Sequence, residues 1–198
     1  MLFGEIPVLE AQGAVLAHSV SFRGGVFKKG RTLDADDVDA LTKGGVTMVF
    51  AVQLDENDVG EDEAAAQVAA ALAGDNASVR KAATGRANIM CSEHGVARID
   101  ADRIDQLNLV HESLTVATVG QHQVVDDGQM LATIKIIPFA VDRTVLDKVL
   151  AILGRTPVLS VTPLDSRKVA LILTEVASTK ASLNRKSEAA MRSRIESL

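Results

Sequence analysis

Three stretches of the chain repeat one order of residues, in which an apolar residue precedes an aspartate and further apolar residues follow at helical spacing. The aspartate can accept hydrogen bonds from the free N–H groups of a helix start, while the apolar residue before it packs on a residue in the next turn. Because the copies lie at unequal spacings of 66 and 42 residues, the repeat favours separate helix starts over duplicated strand-helix-strand units. The stretches and their apolar pairs are 33–41 with Leu33 and Val38, 99–107 with Ile99 and Ile104, and 141–149 with Val141 and Leu146.

The rest of the pattern predicts one more helix and several short strands in the first 165 residues. An alanine-rich stretch that opens with three acidic residues predicts a helix over 60–74. Asp127-Gly128 predicts a hairpin turn between two apolar strands. The fold class is therefore mixed α/β, with an α+β leading region. Strands are predicted near 46–52, 79–83, 86–91, 95–99, 114–119, 130–137 and 158–162.

The C-terminal segment has a different pattern. A nearly continuous apolar run predicts a strand over 169–174, and a Ser/Thr/Lys loop follows it. An amphipathic helix comes next, with an apolar face of Leu183, Ala190, Met191 and Ile195. A doubly buried strand followed by a helix is typical of the start of a parallel sheet, and a loop that enters such a helix can hold an anion.

Charge separates the same two parts of the chain. Residues 1–165 hold 14 basic and 23 acidic side chains, whereas residues 166–198 hold 7 basic and 3 acidic ones. Pro157 and Pro163 lie just before this change and favour a connector. We therefore predict two domains, 1–165 and 166–198, with the boundary near residue 165.

Composition argues against several classes of protein. The net charge is −5 and aromatic residues make up 3% of the chain, so a nucleic-acid platform is not expected. No signal peptide or membrane-spanning run is expected, and the single cysteine, Cys91, favours a cytoplasmic protein. The four histidines have no paired helical spacing and predict no metal site.

Few residues of the leading region suggest chemistry. Cys91 and His94 resemble a nucleophile and its base, but both fall in a predicted hairpin and no third group orients them, so we predict no catalytic pair. The turn at Thr84, Gly85, Arg86 and Asn88 is explained either as a ligand-facing loop or, with more weight, as an ordinary loop. Alternation along its strand predicts that Lys135 points to solvent.

Six segments together resemble a known family. Their order is similar to the N-terminal portion of bacterial molybdopterin-binding proteins, which resemble molybdenum-insertion enzymes and often precede a molybdenum cofactor cytidylyltransferase domain. The resemblance covers essentially the whole chain. The segments are GAVLAHSV, FKKGRTLDADDVDAL, VGEDEAAAQVAAAL, TGRANIMCSEHGVARID, GQMLATIKIIPFAV and VALILTEV.

The resemblance implies a division of roles along the chain. Residues 168–198 would begin a three-layer α/β molybdopterin-binding domain whose glycine-rich loops lie beyond this chain, with the leading region as scaffold. Thr174, Lys180, Ser182 and Lys186 would form the strand-loop-helix entrance to the site of the cofactor, molybdopterin, and would bind its pterin phosphate. The resemblance assigns no catalytic residue. We also expect a homodimer and an associated nucleotidyltransferase domain or partner.

Two other functions stay open. The acidic leading region is consistent with a non-catalytic adaptor that docks a nucleotidyltransferase or a molybdoenzyme without touching the pterin. GAVLAHSV followed by KKGRTL also resembles small β-rich modules of sugar-acid enzymes and of antifreeze-like folds, which would leave the GEDEAAA and GQMLATIK segments unexplained.

Overall fold

A computed structural model describes residues 1–174, 176 and 180–196 of the chain. They form two compact units, Met1–Thr162 and Pro163–Leu198. The first unit contains two hydrophobic cores, one built from residues 6–51 and the other from residues 59–161. We refer to these two parts of the first unit as the small lobe and the large lobe.

The small lobe is a three-stranded antiparallel sheet with one helix and one hairpin. The sheet has the strand order β1-β5-β2, and β3 and β4 form the hairpin. Ile6, Leu16, Leu33 and Leu41 fill the core. Its elements are β1 (Leu2–Pro7), a 3-10 turn (Val8–Glu10), β2 (Val15–Leu16), β3 (Val20–Phe22), β4 (Gly25–Phe27), α1 (Ala35–Lys43) and β5 (Met48–Gln53).

The large lobe packs three helices on small sheets. A four-stranded antiparallel sheet has the order β10-β12-β8-β7, a three-stranded sheet has the order β11-β9-β14, and β13 pairs with β6. The elements are β6 (Asp58–Gly60), α2 (Glu61–Leu72), β7 (Ala77–Val79), β8 (Arg86–Cys91), β9 (Gly95–Ile99), α3 (Ala101–Asn108), β10 (Leu114–Thr118), β11 (Val124–Val125), β12 (Met130–Ile136), β13 (Ala140–Asp142), α4 (Arg143–Leu153) and β14 (Leu159–Pro163).

The three predicted helix starts are confirmed. The Oδ1 atom of Asp34 accepts the Asp37 N–H of α1 at 2.8 Å. Equivalent bonds join Asp100 to the Arg103 N–H of α3 at 3.2 Å and Asp142 to the Thr144 N–H of α4 at 2.7 Å. The residues that precede these aspartates, Leu33, Ile99 and Val141, are buried as the apolar pairing requires.

The predicted hairpin at Asp127-Gly128 is wrong, although the turn itself is present. The Gln129 N–H donates to the Asp126 carbonyl at 3.0 Å, and Gly128 has the positive φ that the turn requires. The strands on its two sides belong to different sheets, because β11 pairs with β9 whereas β12 pairs with β10 and β8. The hairpin predicted around Cys91 and His94 fails for the same reason, since β8 and β9 also lie in different sheets.

One face of the four-stranded sheet is covered and the other is open. Helix α2 packs on β8 and β12, so Ala87, Ile89, Ile134 and Ile136 are buried in the large core. Side chains alternate between the two faces of a strand, and the intervening residues face away from this core. The prediction for Lys135 is confirmed, since this residue is exposed between Ile134 and Ile136.

The strand predicted over 169–174 is absent from the second unit. These residues have no regular secondary structure, and Val169 is 59% and Ile172 83% exposed. An apolar run becomes a strand only when a neighbouring strand satisfies its backbone groups, and no named strand pairs with it in the described part of the chain. The predicted helix is confirmed as α5 (Ala181–Glu196), but the predicted apolar face is largely exposed, with only Ile195 half-buried.

Candidate functional site

The start of α5 brings together three of the four residues predicted to bind the cofactor. Lys180 immediately precedes the helix, its carbonyl accepts the Leu183 N–H at 2.8 Å, and Ser182 and Lys186 lie one turn apart on the same side of the helix. All three are exposed. Two lysines and a serine therefore lie at or near a helix start, whose positive dipole end suits an anion.

Thr174, the fourth predicted residue, does not end a strand. It is exposed at the end of the irregular segment that precedes α5. Most of the predicted Ser/Thr/Lys loop, at 175 and 177–179, lies outside the described residues.

A groove of about 530 Å³ lies elsewhere in the second unit. It is bounded by the irregular segment on one side and by the C-terminal half of α5 on the other. Arg192 within it pairs with Glu188 at 3.4 Å and with Glu196 at 3.5 Å. None of the four predicted residues lines this groove, so the groove and the α5 start are separate features. The lining is Val169, Leu171, Leu173, Glu188, Arg192, Ile195 and Glu196.

In the first unit, five of the six segments that carry the family resemblance meet at one surface, which we call the motif junction. It lies where the small lobe contacts the large lobe. The Lys29 Nζ is 5.3 Å from the centre of the Phe139 ring, and the Glu61 N–H donates to the Phe139 carbonyl at 2.9 Å. The junction consists of Phe3, His18, Lys29, Phe50, Glu61, Asp62, Gly85 and Phe139.

Aromatic rings form the small-lobe side of the motif junction. Phe3 lies 5.0 Å from Phe50 in an edge-to-face arrangement and 6.4 Å from Phe139 with nearly parallel planes. The ring of His18 is 5.5 Å from that of Phe50. Three of the five phenylalanines of the chain are thus in one cluster, and Phe3 remains 55% exposed. No local pattern predicted this cluster, because its members lie far apart in the sequence.

A tight turn forms the large-lobe side. Thr84 and Gly85 have φ values of 52° and 69°, and Ala83 and Arg86 exchange backbone hydrogen bonds across them. The Gly85 N–H donates to the Asp62 carboxylate at 2.8 Å, so this carboxylate anchors the turn. Hydrogen bonds therefore hold this turn both across its own strands and to α2.

Glu61 is the titratable group with a perturbed pKa at the motif junction. Partial burial and the neighbouring Asp62 carboxylate raise the pKa of the Glu61 carboxyl, and the Lys29 ammonium opposes the rise. Burial and the Asp62 carboxylate thus favour the protonated form of Glu61 relative to a glutamate in water.

Cys91 and His94 do not contact each other through a hydrogen bond. The buried Cys91 thiol donates to the Glu93 carbonyl at 2.9 Å, whereas His94 Nδ1 lies 2.9 Å from the Asp126 carboxylate. Within the described ranges, no three His, Cys, Asp or Glu side chains come together as a metal site would require. In the same residues, no helix is both long enough and apolar enough to span a bilayer.

Comparison with known proteins finds a match for one part of the chain. Residues 5–53 match a domain of unknown function (DUF8806). The match corresponds closely to the small lobe and spans about a quarter of the sequence. No curated protein and no solved structure matches the chain.

Proposed function

We propose that this protein binds molybdopterin, or its adenylylated form, in molybdenum cofactor biosynthesis. The first unit acts as scaffold, and Thr174, Lys180, Ser182 and Lys186 form part of the entrance to the pterin site. The proposal rests on the family resemblance of the six segments. The structural observation that supports it is the exposed cluster of two ammonium groups and a hydroxyl at the start of α5.

The chemistry of this cluster suits the phosphate end of the ligand. A phosphate monoester carries up to two negative charges, and a helix start offers it backbone N–H donors together with a favourable dipole. Lys180 and Lys186 add charge, and the Ser182 hydroxyl adds a donor. The role of these residues is to hold and orient the ligand, and they perform no bond-breaking step.

The motif junction supports the scaffold role. The segments that resemble the molybdopterin-binding family are scattered along the sequence, yet the fold gathers five of them at one surface of the first unit. Contacts among these segments hold the two lobes of the first unit together, as a scaffold requires.

Anaerobic calorimetric titration of the 198-residue chain with molybdopterin tests the proposal. We expect saturable binding that Lys180→Ala plus Lys186→Ala weakens about tenfold or more, since each substitution removes a cation from the phosphate site. Lys148→Ala is the matched control, because Lys148 is an exposed lysine on α4 of the first unit. Absence of binding to the unsubstituted chain, or equal weakening by the control, would refute the proposal.

The adaptor function remains the second candidate. The observation that favours it is charge, since residues 1–165 carry nine more acidic than basic side chains. An adaptor would retain its nucleotidyltransferase or molybdoenzyme partner in a pull-down after Lys180→Ala and Lys186→Ala. A chain that binds only the cofactor would lose ligand in these variants and would capture no such partner.

A further inference from the structure

The uncovered face of the four-stranded sheet, which we call the open face, carries an unusual set of side chains. Ala87 and Ile89 of β8 point into the large core, so Arg86 and Asn88 point away from it. The same alternation places Lys135 and Thr133 of β12 and Thr115 of β10 on the open face. Arg80, one residue beyond β7, joins them. By register, Ser78, Met90 and Ala117 lie on the same face. The cations of the open face and the hydrogen-bonding groups beside them are Arg80, Arg86, Asn88, Thr115, Thr133 and Lys135.

The strand register places three cations of the open face close together. Lys135 lies directly opposite Arg86 in the β12–β8 ladder. The Arg80 N–H donates to the Asn88 carbonyl at 2.8 Å, so Arg80 stands opposite Asn88 and diagonal to Arg86. Opposite residues in an antiparallel pair are about 5 Å apart and diagonal ones about 7–8 Å. The three positive charges therefore lie within the span of a short peptide.

These cations lack anionic partners among residues 1–174, 176 and 180–196. No ion pair or side-chain hydrogen bond joins Arg80, Arg86 or Lys135 to a carboxylate in this part of the chain. Like charges directly opposite each other on a sheet destabilise the pairing of its strands. In a chain with a net charge of −5, this face is a local concentration of positive charge that an acidic group would neutralise.

We propose that the open face is a docking surface for an acidic segment of a partner protein. Charge complementarity carries the inference, because the face is cationic and none of the residues assigned to it is acidic. Arg and Lys bind the carboxylates, while Thr115, Thr133 and Asn88 add hydrogen-bonding groups. Thr133 and Asn88 are already joined by a 2.8 Å hydrogen bond, which orders the centre of the face.

The shape of the open face favours an extended polyanion over a small ion. The cations stand on a sheet surface and both Arg86 and Lys135 are exposed, so one small anion would stay solvated and bind weakly. A chain of carboxylates can engage several cations at once and gain from multivalency. The residues assigned to the face include no aromatic side chain for base stacking, and this distinguishes the face from a single-stranded nucleic-acid platform.

This docking surface is independent of the proposed cofactor site. None of Thr174, Lys180, Ser182 and Lys186 belongs to it, and all four lie in the second unit. The two proposals can therefore fail separately.

Fluorescence anisotropy with a labelled decaglutamate peptide tests the inference on the full chain. At about 50 mM salt, where screening of exposed charges is modest, we expect saturable binding that Arg86→Gln plus Lys135→Gln weakens about tenfold. Arg86→Lys plus Lys135→Arg, which keeps both charges, should stay within about twofold of the original. Arg143→Gln plus Lys148→Gln removes two exposed cations from α4 and should have a similarly small effect.

The melting temperature distinguishes a loss of peptide binding from a loss of folded structure. Because Arg86 and Lys135 repel each other across the ladder, their glutamine variant should melt at or above the temperature of the original chain while binding the peptide less well. If that variant melts lower, the single Lys135→Gln variant replaces it in the binding assay. Equal peptide affinity in the open-face and α4 variants would overturn the proposal.

Two competing probes separate other ligand classes. Tighter binding of oligothymidylate than of decaglutamate would assign the face to nucleic acid and overturn the inference. Displacement of the peptide by low concentrations of inorganic phosphate would assign it to a small anion and would overturn the inference as well. Weak competition by both probes supports an acidic polypeptide.

Discussion

Gly85→Ala should destabilise the first unit more than an ordinary glycine substitution does. Gly85 has a φ of 69°, and an added Cβ would lie 2.8 Å from the Ile136 carbonyl oxygen and 2.7 Å from the Glu61 Oε2. The glutamate can rotate away. The Ile136 carbonyl cannot move freely, because its residue belongs to β12 and the Ile136 N–H donates to the Gly85 carbonyl at 2.7 Å.

The magnitude follows from these two costs. Left-handed backbone costs an alanine about 1–2 kcal/mol, and forcing an extra methyl group into packed structure costs about 1–3 kcal/mol more. The free energy of unfolding should therefore fall by about 2–5 kcal/mol, as measured by urea denaturation.

Gly128→Ala provides the matched control. Gly128 has a φ of 76° and no atom within 4 Å of an added Cβ, so this variant should show only the backbone cost of about 1–2 kcal/mol. Equal losses in the two variants would refute the close approach of the Gly85 turn to β12, and with it the geometry of the motif junction.

Three further predictions concern charges in the first unit. Asp37→Asn should lower the free energy of unfolding by about 2–3 kcal/mol in urea denaturation, because it removes the buried negative charge and one of the two oxygens that accept 2.7 Å hydrogen bonds from the half-exposed Arg31. The Arg31 guanidinium lowers the pKa of Asp37, so this stabilisation is present above the ordinary aspartate pKa and should be lost as pH falls below it. If the difference in free energy of unfolding between the original chain and Asp37→Asn does not shrink on acidification, the ion pair is contradicted. Asp142→Ala removes the cap of α4 and should lower the melting temperature by a few degrees, as followed by circular dichroism, whereas an unchanged melting curve would show that the cap contributes nothing. Hydrogen bonds to Asp55 and Asp58 raise the pKa of the Met1 amine to about 10, so its contribution to stability is complete below pH 8 and lost as pH rises through 10; an NMR titration of the amine that gives an ordinary value near 8 would contradict these contacts.

Local patterns predicted the helices well because each helix start depends on neighbours in the sequence. Asp34, Asp100 and Asp142 each cap the helix that follows, and the capping bond joins residues two or three positions apart. Both residues of each capping bond therefore lie within a few positions of each other, and a short stretch of sequence is enough to predict the helix start.

Strand pairing could not be predicted in the same way. The residues around Asp127-Gly128 form the expected turn, but whether the flanking strands pair depends on β9, β8 and β10, which are distant in sequence. The run 169–174 has strand-like composition and forms no strand, because composition does not supply a partner.

In the candidate site, too, local patterns predicted the elements but not the contacts between distant segments. The helix that carries Ser182 and Lys186 was predicted from its local pattern, whereas the contacts among Phe3, Phe50 and Phe139 arise only when β1, β5 and the segment before β13 come together. The open face likewise depends on the β12–β8 register, which no single segment encodes.

The most direct test of the proposed function is an amide NMR titration of the 15N-labelled chain with molybdopterin under anaerobic conditions. We expect the amide signals of Lys180, Ser182 and Lys186 to shift in a saturable manner. Lys180→Ala plus Lys186→Ala should abolish the ligand-induced shifts at the start of α5, while the signals of the first unit keep their positions. No shift at the start of α5 with excess ligand, or saturable shifts confined to residues away from it, would contradict the proposed cofactor site.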